Sequence, residues 1–482
     1  MLSSGKPQIE RKTLHPRFSK QRIHSCVLKN SYTTLSLLLG GCALAGFGVW
    51  KITVSADHTS SATNEKESVS GSSKNACAVA LVQHQGEEPI DRELRHLQDE
   101  ARSGRNRIET MKRLGWAFVK KARLSYDPGY YKLAEQCSLC VQSENSNDPD
   151  AILLQGHVLH SLHKFKEAEF IARKLVTMRN KAPDYGLLGD VVMEQGRLDE
   201  AVVFYQRMVN LRPDLQGYVR IAHLRWLKGD LEGAREVMHF AVTAGNLSES
   251  EPTAWAYTRL GIYELQAGND EMAIRSAGIS LQFAENYPAA LLLRGRVLVA
   301  QGKVSEGIKS LKQAATRVSL PEYQWALADA LREEGSIAEA EDVESRLATS
   351  GATNDPRTFA LYLATRGQRL QQALALAERE LNTRSDIFTM DAVAWALKAN
   401  GRLAEAREYS QKSLQEGTQD SRLFYHAGSI AVATGNYAIA QAWFKRADEI
   451  KQTLMPLERE ELNRQFAALR ELKNTLAIAR GH

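Results

Sequence analysis

An all-α solenoid of about ten helical hairpins is the fold class that this 482-residue sequence predicts, on three regularities. From Pro149 the prolines run Pro183, Pro213, Pro252, Pro288, Pro321 and Pro356, at intervals of 34, 30, 39, 36, 33 and 35 residues. Small residues recur on the same period: Ala134, Ala168, Ala201, Ala234, Ala273, Gly307, Ala340, Ala373, Ala406 and Ala440. Another small residue precedes most of these by about twelve positions, and a glycine falls between the two, from Gly196 and Gly229 to Gly401 and Gly435. A fixed period in the range of 20–50 residues is the mark of a repeat architecture. Composition agrees, because 43% hydrophobic and 25% charged residues suit a packed core and exclude collagen-like or wholly disordered chains.

Each recurring position has a physical reason. In the unit from Pro183 to Asp214, Leu187, Leu188, Val191 and Val192 make one apolar helical face, and Leu198, Val202, Tyr205 and Val209 make the next. Gly196 suits the left-handed conformation that ends the first helix. Gly189 and Ala201 lack bulk where two antiparallel helices approach closely, and Pro213 interrupts the step to the next unit. Such a hairpin cannot bury its faces alone, so its neighbours must stack on it.

This order of small residues, turn glycine, Tyr205 and Pro213 resembles the tetratricopeptide repeat. The phrases LGDVVMEQGRLDEAVVFYQRMVNLRPD and FYHAGSIAVATGNYAIAQAWFKRADEI are similar to bacterial members of that family. The resemblance implies a right-handed superhelix over residues 111–450. Local departures are an extended turn from Ala122 to Gly129, about five extra residues near Gly245–Glu251, and one extra residue between Gly367 and Ala373.

Ahead of the repeats the sequence reads as an address. Residues 1–51 hold eight Lys/Arg against Glu10 alone, a balance of +7 within a net charge of +5. Residues 1–30 form a basic cytoplasmic tail, and the uncharged run Asn30 to Trp50 would span about 31 Å as a helix, close to a hydrocarbon core. Basic residues before the span, with Tyr32 and Trp50 at its edges, predict a signal anchor over 31–54. The repeat body is then extracytoplasmic, and periplasmic in a Gram-negative cell. Two cleavable alternatives stay open. Leu39-Gly40-Gly41-Cys42 resembles the lipobox of bacterial lipoproteins, with Cys42 as the lipidated residue, and Val54-Ser55-Ala56 has the small residues of a cleavage site. Serine-rich residues 55–89 predict a flexible linker, 90–110 an N-terminal capping region, and 451–482 a capping helix with Leu462, Phe466, Leu469 and Leu476 on one face.

Chemistry is sparse. No Walker loop, HExxH, G-x-S-x-G or G-x-G-x-x-G motif is present, so the sequence predicts neither an enzyme nor a cofactor. Beyond residue 51 the charge balance is −2, which argues against nucleic-acid binding through a basic face. The first helix of each hairpin lines the groove in this family. The implied groove residues are His157, His160, Asp190, Met193, His223, Trp226, Thr258, Arg296, Trp325, Asp329, Arg332, Asp391, Trp395, Lys398 and Tyr425. Mixed charges with Trp and Tyr suit the anchoring of a protein or peptide partner, with packing between repeats as the competing role for the aromatics. Family members that clamp a C-terminal carboxylate use groove lysine and asparagines, and no asparagine occupies those positions here. Cys137-x-x-Cys140 followed by His157, His160 and His163 admits a tetrahedral metal site, a disulfide or ordinary packing. The function expected is a membrane-tethered, non-catalytic scaffold. The alternatives are a lipidated envelope-assembly factor, resembling the repeat-containing pilotins, and a metal or redox role at the cysteines.

Overall fold

The computed structural model describes residues 75–480, with side chains through residue 471. The basic tail, the 31–54 span, Cys42 and the linker up to residue 74 lie outside the described residues. Among the described residues no helix is long and apolar enough to cross a membrane.

After a short helix at 75–80, α1 (Pro89–Arg102) leads into ten hairpins. The first four are α2–α3 (Arg107–Ser125, Gly129–Glu144), α4–α5 (Pro149–Ser161, Phe165–Arg179), α6–α7 (Ala182–Glu194, Leu198–Leu211) and α8–α9 (Leu215–Leu227, Leu231–Ala244). Next come α10–α11 (Ser250–Gln266, Asp270–Phe283), α12–α13 (Pro288–Ala300, Val304–Arg317) and α14–α15 (Pro321–Glu334, Ile337–Asn354). Last are α16–α17 (Pro356–Arg366, Leu370–Leu381), α18–α19 (Ile387–Ala399, Leu403–Ser413) and α20–α21 (Ser421–Ala433, Tyr437–Glu449), closed by α22 (Pro456–Arg480). The ten hairpins fall on the ten registered repeats, and the extra residues near Gly245–Glu251 form a 3-10 turn at Leu247–Glu249.

The small residues do what their spacing implied. Ala201 is fully buried, and a Cβ on Gly189 would lie 2.3 Å from the Tyr205 ring, so that crossing tolerates no side chain. Gly196 takes φ +77°, the left-handed turn expected of it. The prolines act differently from expectation. Pro149, Pro288, Pro321 and Pro356 each open a first helix instead of closing a second one. The first turn of a helix needs no donor at that position, and proline's fixed φ already suits it. Aspartates supply the missing acceptors: Asp148, Asp214, Asp355, Asp386 and Asp420 cap the N-termini of α4, α8, α16, α18 and α20.

The N-terminal boundary also differs. Residues 75–88, expected as linker, belong to the folded body. Ala80 and Leu94 are fully buried, Gln98 donates to the carbonyls of Ala80 and Val82 at 3.1 and 2.6 Å, and Cys77 is disulfide-bonded to Cys140 on α3. The apolar patch from Ala76 to Val82 is therefore the start of the cap, and the capping unit extends over 75–102 instead of beginning at residue 90. At the far end Leu462, Phe466 and Leu469 of α22 are buried, with Phe466 5.9 Å from Phe444.

A feature the repeat pattern did not announce is a seam. The coil advances so that the turn of one hairpin meets the loop five hairpins later. Ser385 N–H donates to Glu194 O at 3.3 Å, Thr418 Oγ1 donates to Leu227 O, and Gln452 Nε2 donates to Leu265 O at 2.9 Å. These carbonyls end α6, α8 and α10, where a helix leaves its last acceptors unpaired. The following turn of the coil caps them. Tyr126, after α2, continues the seam against Tyr323 on α14, with ring centroids 6.2 Å apart.

Candidate functional site

Closing the coil turns the concave face inward, around a cavity of about 710 Å3. It opens to the surface beside Lys412 and Gln415, both exposed. Five of the groove residues expected from sequence line it: Met193, His223, Trp226, Trp325 and Asp391.

Trp226 sits at the seam. Its Nε1 donates to Gln419 O at 3.2 Å, and its ring stacks on Phe388 at 5.6 Å and lies 5.8 Å from Tyr263. Next to it, Arg259 Nη2 donates to His223 Nδ1 at 2.8 Å and to Tyr263 OH at 2.9 Å. Burial, reinforced by the Arg259 charge, lowers the His223 pKa to about 3, so this imidazole is neutral at neutral pH. Trp325 is fully buried and donates to Asp329 Oδ2 at 3.2 Å, while Arg366 holds Asp329 Oδ1 at 2.6 Å. Burial outweighs that arginine and raises Asp329 to about 6.

The remaining expected groove residues are spent within the fold. Asp190 accepts from Tyr205 OH at 2.7 Å and from Arg220 at two contacts of 2.8 Å. Burial opposes its ionisation, yet the Arg220 guanidinium keeps the carboxyl below its usual range. Arg296 reaches Glu322 at 3.1 Å and the Thr453 carbonyl, and Arg332 holds Glu344 at 2.9 and 2.6 Å. Trp395 donates to Thr365 at 3.0 Å, stacks on His426 at 3.9 Å and carries Lys398 over its ring at 4.4 Å. Tyr425 is buried 5.5 Å from Trp395. Thr258 is misplaced by the groove assignment: it is buried between α10 and α11, bonded to Ala254 O and Ser280 at 3.0 Å.

The expected cysteine–histidine constellation does not assemble. Cys140 is consumed by Cys77. Cys137 is a free thiol in the core, so close to α2 that a Cβ on Gly115 would lie 3.2 Å from its own, and burial pushes its pKa far up. His157 packs against Trp116 at 5.2 Å and 6.5 Å from His160, while His163 stacks on Phe165. Among the described residues no three His, Cys, Asp or Glu side chains are grouped to hold a metal ion.

Sequence reasoning missed the cavity's other wall. Phe388, Arg357, Arg384 and Arg422 line it from the later turn of the coil, and Arg259 lies one position from Thr258. Most of these charges are paired: Arg357 with Asp386 at 3.1 Å, Arg384 with Glu380 at 3.2 Å and Arg422 with Glu458 at 2.7 Å, while Glu416 of the same wall holds Lys228 at 2.9 Å. A signal existed for Arg259, because Arg220 and Arg259 both stand two residues before the small residue of their first helix.

Family models described as tetratricopeptide repeat match residues 292–355 and 421–454. These two segments of the chain are tetratricopeptide repeats. Comparison with curated protein sequences gives no match. Among solved structures the chain is similar to a thermophilic tetratricopeptide-repeat protein of Thermus thermophilus, at 18% identity and a TM-score of 0.35, over 40% of this chain and 99% of that one. It is similar to pilF of Pseudomonas aeruginosa, at 14% identity and a TM-score of 0.36, over 45% and 96%. Human IFIT1, solved as a dimer with PPP-AAAA, is 14% identical with a TM-score of 0.44, over 79% and 94%.

Proposed function

We propose that this protein is a membrane-tethered, non-catalytic scaffold whose repeat body works outside the cytoplasm and takes up a segment of a partner protein. The observation that carries the reading is the cavity inside the coil, walled by Trp226, Phe388 and charges of both signs. A volume of about 710 Å3 is in the range of small-ligand pockets, so the part of a partner that enters is an extended segment and not a folded domain. The near-neutral charge of the chain beyond residue 51 favours a protein over a nucleic acid. The disulfide between Cys77 and Cys140 supports an oxidising compartment, in keeping with the basic residues ahead of the apolar 31–54 stretch.

Proximity labelling from intact cells, with the full chain and with Gln415→Trp at the cavity mouth, tests the scaffold. A partner enriched by the parent and lost in the variant supports it; no enriched protein, or one equally enriched by both, overturns it. The second reading is a lipidated envelope factor modified at Cys42, favoured by the Leu39-Gly-Gly-Cys42 sequence. Intact mass decides between them: a chain beginning at a lipid-bearing Cys42 replaces the anchor, and a retained residue 1 removes the lipidation reading.

A further inference from the structure

We propose that the end of the cavity around Arg259 is a binding site for a small aromatic anion, a flat ring carrying one carboxylate or similar group. The inference goes beyond uptake of a protein segment and does not depend on it.

Arg259 is the one arginine lining the cavity that has no carboxylate partner among the described residues, whereas Arg357, Arg384 and Arg422 each have one. Its guanidinium lies over two aromatic faces, 5.1 Å from the Tyr263 centroid and 5.9 Å from Trp226. The groups it does touch, His223 Nδ1 and Tyr263 OH, are both uncharged. A full positive charge is therefore fixed in place, with a single nitrogen occupied by neutral acceptors, in a recess partly shielded from water. There its attraction for an anion exceeds that of a solvated surface arginine. The planar fork favours a bidentate anion such as a carboxylate.

The surroundings specify the rest of the ligand. Trp226 and Phe388 form a stacked aromatic wall beside Arg259, and the polar edge of Trp226 is already used by Gln419 O. Trp226 itself is buried, so the apolar surface on offer next to the charge is the half-buried Phe388 ring, which suits a flat ring better than a polyhydroxyl or a polyphosphate. Four of the carboxylates that line the cavity are ion-paired: Asp386, Glu322, Glu416 and Glu194 with Arg357, Arg296, Lys228 and Arg384 at 3.1, 3.1, 2.9 and 3.6 Å. Asp391 is hydrogen-bonded to His426 at 2.8 Å, and Asp420 caps the N-terminus of α20.

The test is calorimetric titration of the full-length protein with indole-3-acetate and with indole-3-acetamide, which keeps the ring and the shape but not the charge. The unaltered protein should bind the carboxylate at one site per chain, about tenfold or more tighter than the amide. Arg259→Gln should bring the carboxylate down to the affinity of the amide and leave the amide unchanged, while Arg259→Lys keeps part of the difference. Equal binding of the two compounds by the unaltered protein, or absence of binding by either, overturns the proposal even if Arg259→Gln fails to fold. Retention of the full preference by a folded Arg259→Gln overturns it as well.

Discussion

Two glycines that look alike in the repeat should respond differently to the same substitution. Gly229 and Gly302 both end the first helix of a hairpin in the left-handed conformation, at φ +82° and +77°. Alanine in that conformation costs about 1–2 kcal/mol at either position. The space around them differs. A Cβ on Gly302 meets nothing within 4 Å, whereas one on Gly229 lies 2.7 Å from Gly417 O and 3.1 Å from its carbon, backbone of the next turn of the coil. Backbone at that place is pinned by Thr418 donating to Leu227 O and by Lys228 with Glu416 at 2.9 Å. It cannot step aside as a flexible side chain would, and overpacking of this kind costs about 1–3 kcal/mol more. Gly302→Ala should therefore cost about 1–2 kcal/mol, and Gly229→Ala about 2–5 kcal/mol. The assay is the shift of the urea midpoint for the two variants, with hydrogen exchange at residues 416–420 to show where the loss falls. Equal shifts, or no faster exchange in that loop for Gly229→Ala, would refute the seam as a source of stability.

Four other outcomes follow from the geometry. Reducing the Cys77–Cys140 bond, or replacing Cys140 by Ser, frees a crosslink across 63 residues; chain entropy puts the loss at about 4 kcal/mol, read as early proteolysis near residues 75–88. Ala201→Trp places a large ring where no side-chain surface is accessible and should destabilise by about 1–3 kcal/mol or more; unchanged melting would contradict the hairpin register. Tyr205→Phe removes the 2.7 Å bond to Asp190 while Arg220 remains, and a loss of about 1.5–3 kcal/mol in urea unfolding is expected for a bond to a charged group. His157 and His223 are held at about 3, by burial first and then by the neighbouring His160 and Arg259 respectively. The unfolded chain, with ordinary histidines near 6.5, takes up protons that the folded chain refuses. Stability should then fall as pH drops from about 7 toward 3, and His223→Gln should flatten the melting temperature over that window.

The hairpins were legible because their signals are local. Gly196 with Ala201, or Gly189 twelve residues before Ala201, encode a turn and a close crossing within a span that one hairpin occupies. The seam was not, since Thr418 and Leu227 are 191 residues apart and neither is unusual in its own repeat. Only the superhelical advance, the sum of small rotations over five hairpins, brings them together. The same cause explains the mixed result for the groove. Trp226 and His223, expected in the groove, line the cavity, but Phe388 and Arg357 line it from a part of the chain that no local pattern connects to them. Cys77 was hidden differently. Its short helix follows a serine-rich stretch and lacks the repeat, so it read as linker, while the nearer Cys137 offered Cys140 a more obvious companion. Burial of Cys137 against Gly115 and Leu154 removes that choice.

The bond from Cys77 to Cys140 also sets how the body bears tension. A pull on the chain ahead of residue 75 does not first peel away the short helix and α1. It passes through the crosslink to α3, the second helix of the first hairpin, and spreads from there into the stack. Residues 78–139 are bypassed and stay slack under load. For a body drawn by its N-terminus, the capping elements behind the crosslink are shielded, and the first parts to yield lie beyond residue 140.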